Sequence, residues 1–135
     1  MSSRTATLIL LGVIFCVLGV NVFAIIHDLY FYYPWLDVVM HLVGGFWIGF
    51  TALAIIQWKL KRALPLKERM AYAFLIALGV GVLWEMFELL SDMSFALEPY
   101  VYNATDTFSD LFNDFIGGII AGIVGHIHQH QNRQS

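Results

Sequence analysis

Asp37 and His41 stand four residues apart, Glu85 and Glu88 three apart with Asp92 a turn further on, and Asp106, Asp110 and Asp114 follow at intervals of four. On a helix, spacings of three and four bring side chains onto one face, so each group forms a polar stripe. Each stripe interrupts or ends an otherwise apolar stretch. An ionisable side chain within a bilayer costs several kcal/mol even after relaxation, so such groups face the bundle interior, find partners and mark function. Several carboxylates around one imidazole cannot all stay ionised in a low-dielectric pocket; they share protons or bind a cation. Oxygen-rich ligation with one nitrogen suits a divalent ion such as Mg²⁺, Mn²⁺ or Zn²⁺ without choosing among them. On this reading His41, Glu85, Asp110 and Asp114 hold the ion and Asp37 or Glu88 serves as general base, with Asp92 and Asp106 as further site candidates. No compact ligand motif such as H-E-x-x-H is present, so the site rests on convergence of different helices. Two other readings stay open: hydrogen-bonded carboxylates that cap or join helix ends, and a path for protons or cations.

The elements that must position these groups are membrane helices. Of the 135 residues 59% are hydrophobic and 13% charged, against about 25% charged in soluble domains. Apolar segments at 5–26, 35–58, 70–90 and 106–127 each approach the roughly 20 residues that cross a hydrocarbon core of about 30 Å. The expected fold class is an all-α, polytopic integral membrane bundle of about four transmembrane helices, with residues 1–135 forming a single transmembrane domain. The first segment also admits reading as a secretory signal, with Arg4 before the apolar run and Val22-Phe23-Ala24 as a cleavage site, although the run is longer than an ordinary signal core. Counting inward from Pro34, His41 lies about 10 Å deep; Glu85 counted from Asp92 lies about 10 Å deep, and Asp114 counted from Asp106 about 12 Å. Three helices thus supply a polar group at one level, with Asp37, Glu88 and Asp110 a turn nearer the surface.

With four spans, the N-terminus, the loop 59–69 and the C-terminal tail share one side, and all seven basic residues fall there: Arg4, Lys59, Lys61, Arg62, Lys67, Arg69 and Arg133. The positive-inside rule makes that side cytoplasmic, with both termini inside, and the expected location is the inner (plasma) membrane. The loops 27–34 and 93–105 carry no Lys or Arg and, with Trp35, supply an aromatic belt that includes Tyr30, Phe31, Tyr32, Tyr33, Phe95, Tyr100 and Tyr102. Gly45-x-x-x-Gly49 and Gly118-x-x-x-Gly122 suit close helix packing, within the chain or in a homo-oligomer, the former being the reading we favour. The lone Cys16 reads as packing, and His126-x-His128-x-His130 as a solvated polar tail.

The series Asp37-x-x-x-His41 followed by Gly44 and Gly45, then Trp84-Glu85-x-x-Glu88, then Asp106-Thr107-x-x-Asp110-Leu111 and Gly117-Gly118 resembles the YjdF-type bacterial inner-membrane proteins, themselves similar to the VanZ-like proteins. The likeness covers the second to fourth spans. The first Asp is commonly followed by Lys in both families, where this chain has Val38. VanZ-like proteins also carry an Arg before the last acidic motif and an Asn after it, whereas this chain has no such Arg and places Asp114 there, beside Asn113. The YjdF-type likeness is therefore the closer one, and it implies site positions rather than a reaction.

Three functions follow. The first is metal-dependent hydrolysis or transfer on a lipid or lipid-linked envelope substrate at the outer leaflet, by direct attack of water, since no Ser or Cys nucleophile motif lies near the site. The second is binding of a cation or lipid headgroup without turnover, favoured by acidic walls. The third, a proton- or cation-linked transporter, is opposed by the apolar character of 46–56 and 71–82. The expected partners are the lipid bilayer and a lipid or lipid-linked ligand, with no nucleic acid.

Overall fold

The computed structural model describes residues 3–60, 64–95 and 103–134. They form four long helices and one short one: α1 (Ser3–Ile26), α2 (Leu29–Tyr32), α3 (Trp35–Leu60), α4 (Leu66–Phe95) and α5 (Ala104–Gln134). All four long helices are long and apolar enough to cross a membrane, over Leu8–Ile26, Trp35–Lys59, Leu66–Ser91 and Ala104–Gln129. Among the described residues there is no strand. Of the loop residues considered above, Lys61, Arg62, Tyr100 and Tyr102 lie outside the described set.

Local chemistry accounts for the helix boundaries. Asp28 adopts the left-handed conformation (φ 53°), which short polar residues tolerate best after glycine, and turns the chain from α1 into the single turn of α2. Pro34 and Pro65 directly precede α3 and α4, where a missing N–H does no harm. Asn103 caps α5, its Oδ1 accepting from the Asp106 N–H at 3.4 Å. Both α4 and α5 run beyond their apolar segments, because Lys67, Glu68 and Arg69 fit a helical first turn and the polar C-terminal residues continue the last helix. The tail at His126 and His128 is therefore helical, and alternate positions in a helix point to nearly opposite sides, so these imidazoles diverge.

α5 packs against both α3 and α4, and α3 packs against α4. These contacts are made through glycine. A Cβ on Gly45 would lie 2.5 Å from the Asp114 carbonyl oxygen and 2.7 Å from its Cα, and one on Gly117 would strike the Leu42 carbonyl oxygen. On the α4 side, Cβ atoms on Gly118 and Gly122 would each lie 2.7 Å from a Cα, of Phe74 and Met70 respectively. Both glycine pairs thus serve packing within the chain, with backbones close enough to exclude any side chain. Toward the end bearing the 59–69 loop, Leu53, Leu64, Ala73 and Ala121 form a buried apolar cluster against which Phe46, Phe50 and Ile56 pack.

Arg69, counted among the basic residues of that loop, is fully buried. Its Nε donates to the Leu64 carbonyl at 3.0 Å and its Nη1 to the Gly125 carbonyl at 2.9 Å, tying the start of α4 to α5. Long basic side chains bury their stems readily when the head finds acceptors.

α1 is peripheral. It contacts α3 and α2 and, among the described residues, neither α4 nor α5. The Trp47 indole donates to the Leu10 carbonyl at 2.8 Å. Most of its apolar side chains are exposed, as befits a lipid-facing helix, and Cys16 is exposed with them rather than packed between helices. The girdle of Phe31, Tyr32, Tyr33 and Trp35 is also exposed, with T-shaped contacts between Phe31 and Tyr32 and between Tyr33 and Trp35.

Gly117→Val should therefore lower stability by about 1–3 kcal/mol or more, the cost of overpacking. Gly79→Ala, where an added Cβ meets nothing within 4 Å, should be neutral or slightly stabilising. Unfolding of both variants in mixed micelles measures the contrast.

Candidate functional site

The polar stripes of α3, α4 and α5 meet near the α2 end of the bundle. On α3, the Asp37 and His41 spacing turns both side chains inward, and His41 is only 6% exposed. On α5, Asp110 and Asp114 are each 4% exposed, whereas Asp106, at the capped start of the helix, is exposed. On α4, Glu85 and Glu88 are half-buried. Asp92 lies on α4 with its side chain outside the described set.

His41 is the centre. Its Nδ1 lies 3.3 Å from Asp114 Oδ2, close enough for a hydrogen bond. Its Nε2 faces Asp37 Oδ1 at 3.7 Å and Glu85 Oε1 at 3.9 Å. The carboxylate at Nδ1 orients the ring and so turns Nε2 toward the other two acids. Glu85 Oε1 is buried and has no hydrogen-bond partner. Two sets of three residues bring ligand-capable atoms within 4.8 Å of one another: Asp37, His41 and Asp110, and His41, Glu85 and Glu88. Of the expected ligands, His41 belongs to both sets, Asp110 to the one with Asp37 and Glu85 to the one with Glu88, while Asp114 sits on Nδ1 and in neither set.

Glycines make room for these carboxylates. A Cβ on Gly81 would strike Asp114 Oδ2, so only glycine at this position of α4 lets that carboxylate lie between α4 and His41. The second glycine of Gly79-x-Gly81 is a signal sequence reading passed over. Thr107 and Trp84, both part of the motifs that carry the family resemblance, are hydrogen-bonding neighbours of Glu85 and Glu88 respectively.

Tyr30 and Asn21 are further residues that the acidic pattern did not reveal. The Tyr30 hydroxyl on α2 donates to Asn21 Oδ1 on α1 at 2.7 Å. Both line a cavity of about 140 Å³ between α1, α3 and α4, together with Asp37, His41, Glu88 and Asp114. Burial, reinforced by the nearby charges of Asp37 and Glu88, pushes the Tyr30 hydroxyl up from 10.0 to about 12, because its phenolate would be poorly solvated beside two acids. The group therefore remains a donor throughout the physiological range. In a spectrophotometric titration of the folded protein the Tyr30 step should fall near pH 12, and Tyr30→Phe should remove it.

Residues 2–131 match the family described as predicted membrane protein (DUF2238). No curated protein and no solved structure matches the chain. A match over nearly the whole length, on a chain with four membrane-competent helices, agrees with the order of motifs from Asp37 to Gly118. This protein belongs to the DUF2238 family of predicted membrane proteins, the YjdF-type family.

Proposed function

We propose that this protein is a membrane-embedded, divalent-cation-dependent enzyme that hydrolyses or transfers a group of a lipid or lipid-linked envelope substrate, with its site open to the outer face of the plasma membrane. The observation that carries the reading is the environment of His41: one ring nitrogen is oriented by Asp114, while the other faces Asp37 Oδ1 and the unpartnered, buried Glu85 Oε1. Metal-binding histidines commonly donate their second ring N–H to a carboxylate, which sets the tautomer and raises the basicity of the ligating nitrogen. Donors about 2.1 Å from a tetrahedral ion stand about 3.4 Å apart. The 3.9 Å separation of Nε2 and Glu85 Oε1 needs to close by only about half an ångström.

In this reading His41, Glu85 and Glu88 are the ligands, grouped with their donor atoms within 4.8 Å of one another, and Asp114 acts as the orienting partner. Mg²⁺, Mn²⁺ and Zn²⁺ all suit such a mixed set. The ion would acidify water and polarise the substrate oxygen, and Asp37 or Asp110 would take the proton. Segregation of the seven basic residues supports the cytoplasmic placing of the loop 59–69 and hence the outward placing of the site. Kinship with VanZ-like proteins forms part of the same reading.

Element-resolved analysis of untagged protein should find a stoichiometric divalent metal that disappears in the double variant His41→Ala, Glu85→Gln with helicity retained. Asp114→Asn should keep the fold and weaken metal affinity by about 10- to 100-fold, the usual loss for an orienting partner. A wild-type protein free of metal, with Glu85→Gln less stable in detergent, would instead identify the carboxylates as structural.

A further inference from the structure

The cavity beside His41 has two chemically distinct ends. Toward α2 its walls are Asn21, Tyr30, Asp37, His41 and Glu88; deeper in the bundle they are Ile14, Val17, Leu18, Ile48 and Val80. Ile48 lies two turns beyond His41 on α3, about 10 Å further along the axis. At about 140 Å³ the cavity is smaller than the roughly 300–1,000 Å³ of sites that enclose a whole small molecule, so it suits part of a larger one.

The helix arrangement leaves a route for the remainder. α1 and α4 both line the cavity, yet their backbones make no contact among the described residues. α1 is held to α3 by the Trp47 bond to Leu10 and to α2 by the Tyr30 bond to Asn21, with no hydrogen bond joining it to α4 among the described residues. The cleft between α1 and α4 therefore faces the hydrocarbon of the bilayer rather than a sealed helix interface.

Depth selects the chemistry. A bilayer of about 40–45 Å with a hydrocarbon core of about 30 Å leaves an interfacial layer of about 5–8 Å on each side. Tyr33 and Trp35, exposed aromatics, belong at that layer. His41, about 10 Å inward of Pro34, then lies just below the boundary where acyl chains begin. A lipid phosphate sits at the top of the interfacial layer, whereas the acyl esters sit at its base, nearer to His41.

We propose that the cleft between α1 and α4 receives one acyl chain of an outer-leaflet glycerolipid and presents that chain's ester carbonyl to the His41 site. This rests on the cation-dependent reading above and names its substrate class as an acyl ester. Water adds to the ester carbonyl carbon and a site carboxylate takes its proton. The acyl C–O bond then breaks and the alcohol oxygen leaves with that proton, giving a free acid and a lyso-lipid.

The test uses the full chain in vesicles of phosphatidylethanolamine and phosphatidylglycerol, with metal content measured on the same samples. The probe is a phosphatidylglycerol carrying a photoreactive diazirine in one acyl chain. The expected results are labelling of Ile14, Val17 and Leu18 and of Ile48 or Val80, and release of free fatty acid without a phosphate-bearing headgroup. Val17→Trp, which fills the cleft, should lower that release at least tenfold and abolish the labelling at unchanged metal content. Cys16→Trp, on the exposed face of α1 turned away from the cavity, should change neither. Release of a phosphate-bearing headgroup, labelling spread evenly over lipid-facing positions, or no fatty acid from metal-loaded protein would overturn the inference. Labelling needs no metal, so cleft-specific labelling of a metal-free protein would overturn the cation reading while keeping the chain in the cleft.

Discussion

Where α3 crosses α5, the Gly45 backbone meets the backbone of Asp114, and Gly117 meets Leu42 and Phe46. Any larger residue at either glycine would push the two axes apart by the width of a side chain. The distance of 3.3 Å from His41 Nδ1 to Asp114 Oδ2 depends on that contact, because the two residues belong to different helices and share no local restraint. Once Asp114 is seated, the imidazole has an orientation, and its other nitrogen must point toward Asp37 and Glu85. A backbone contact between small residues is thus what converts three separate acidic stripes into one site. Association of helices in lipid relies on such close packing, since lipid chains supply no hydrophobic drive between them.

The two ends of the bundle solve the problem of polar burial differently. Near the 59–69 loop a single cation, Arg69, is placed among backbone carbonyls from the loop and from α5, which suits a guanidinium with several donors. Near α2 the buried groups are acids and one imidazole. Arg69 holds helices together through backbone carbonyls, whereas the acidic end sets side chains of three helices against one another. That asymmetry separates a structural polar cluster from a candidate functional one more sharply than charge counts do.

α1 adds a third element of logic. It contributes apolar side chains and Asn21 to the cavity while standing apart from α4, so the three-helix unit of α3, α4 and α5 carries the acidic cluster and α1 shapes access to it. The Tyr30 hydroxyl, kept protonated by burial near two acids, bridges from α2 to α1 at the mouth of the cavity.

The amino-acid sequence by itself determined the helical class and the number of long apolar segments, because a bilayer demands about 20 apolar residues per crossing and backbone bonds satisfied within each segment. It also determined which residues share a helical face: Asp37 with His41, Glu85 with Glu88, and Asp110 with Asp114, since that periodicity is local. Tertiary structure alone decided that Asp114 takes the Nδ1 side of His41 and Asp37 the Nε2 side, that Asp106 lies exposed at the helix start, and that Gly81 rather than Gly79 makes room for a carboxylate. It alone placed Arg69 inside the bundle and Asn21 and Tyr30 around the cavity. The physical reason is the same in each case. Periodicity along one helix says which way a side chain points, but the distance between helices depends on crossings set by backbone contacts such as Gly45 with Asp114, which no single segment encodes.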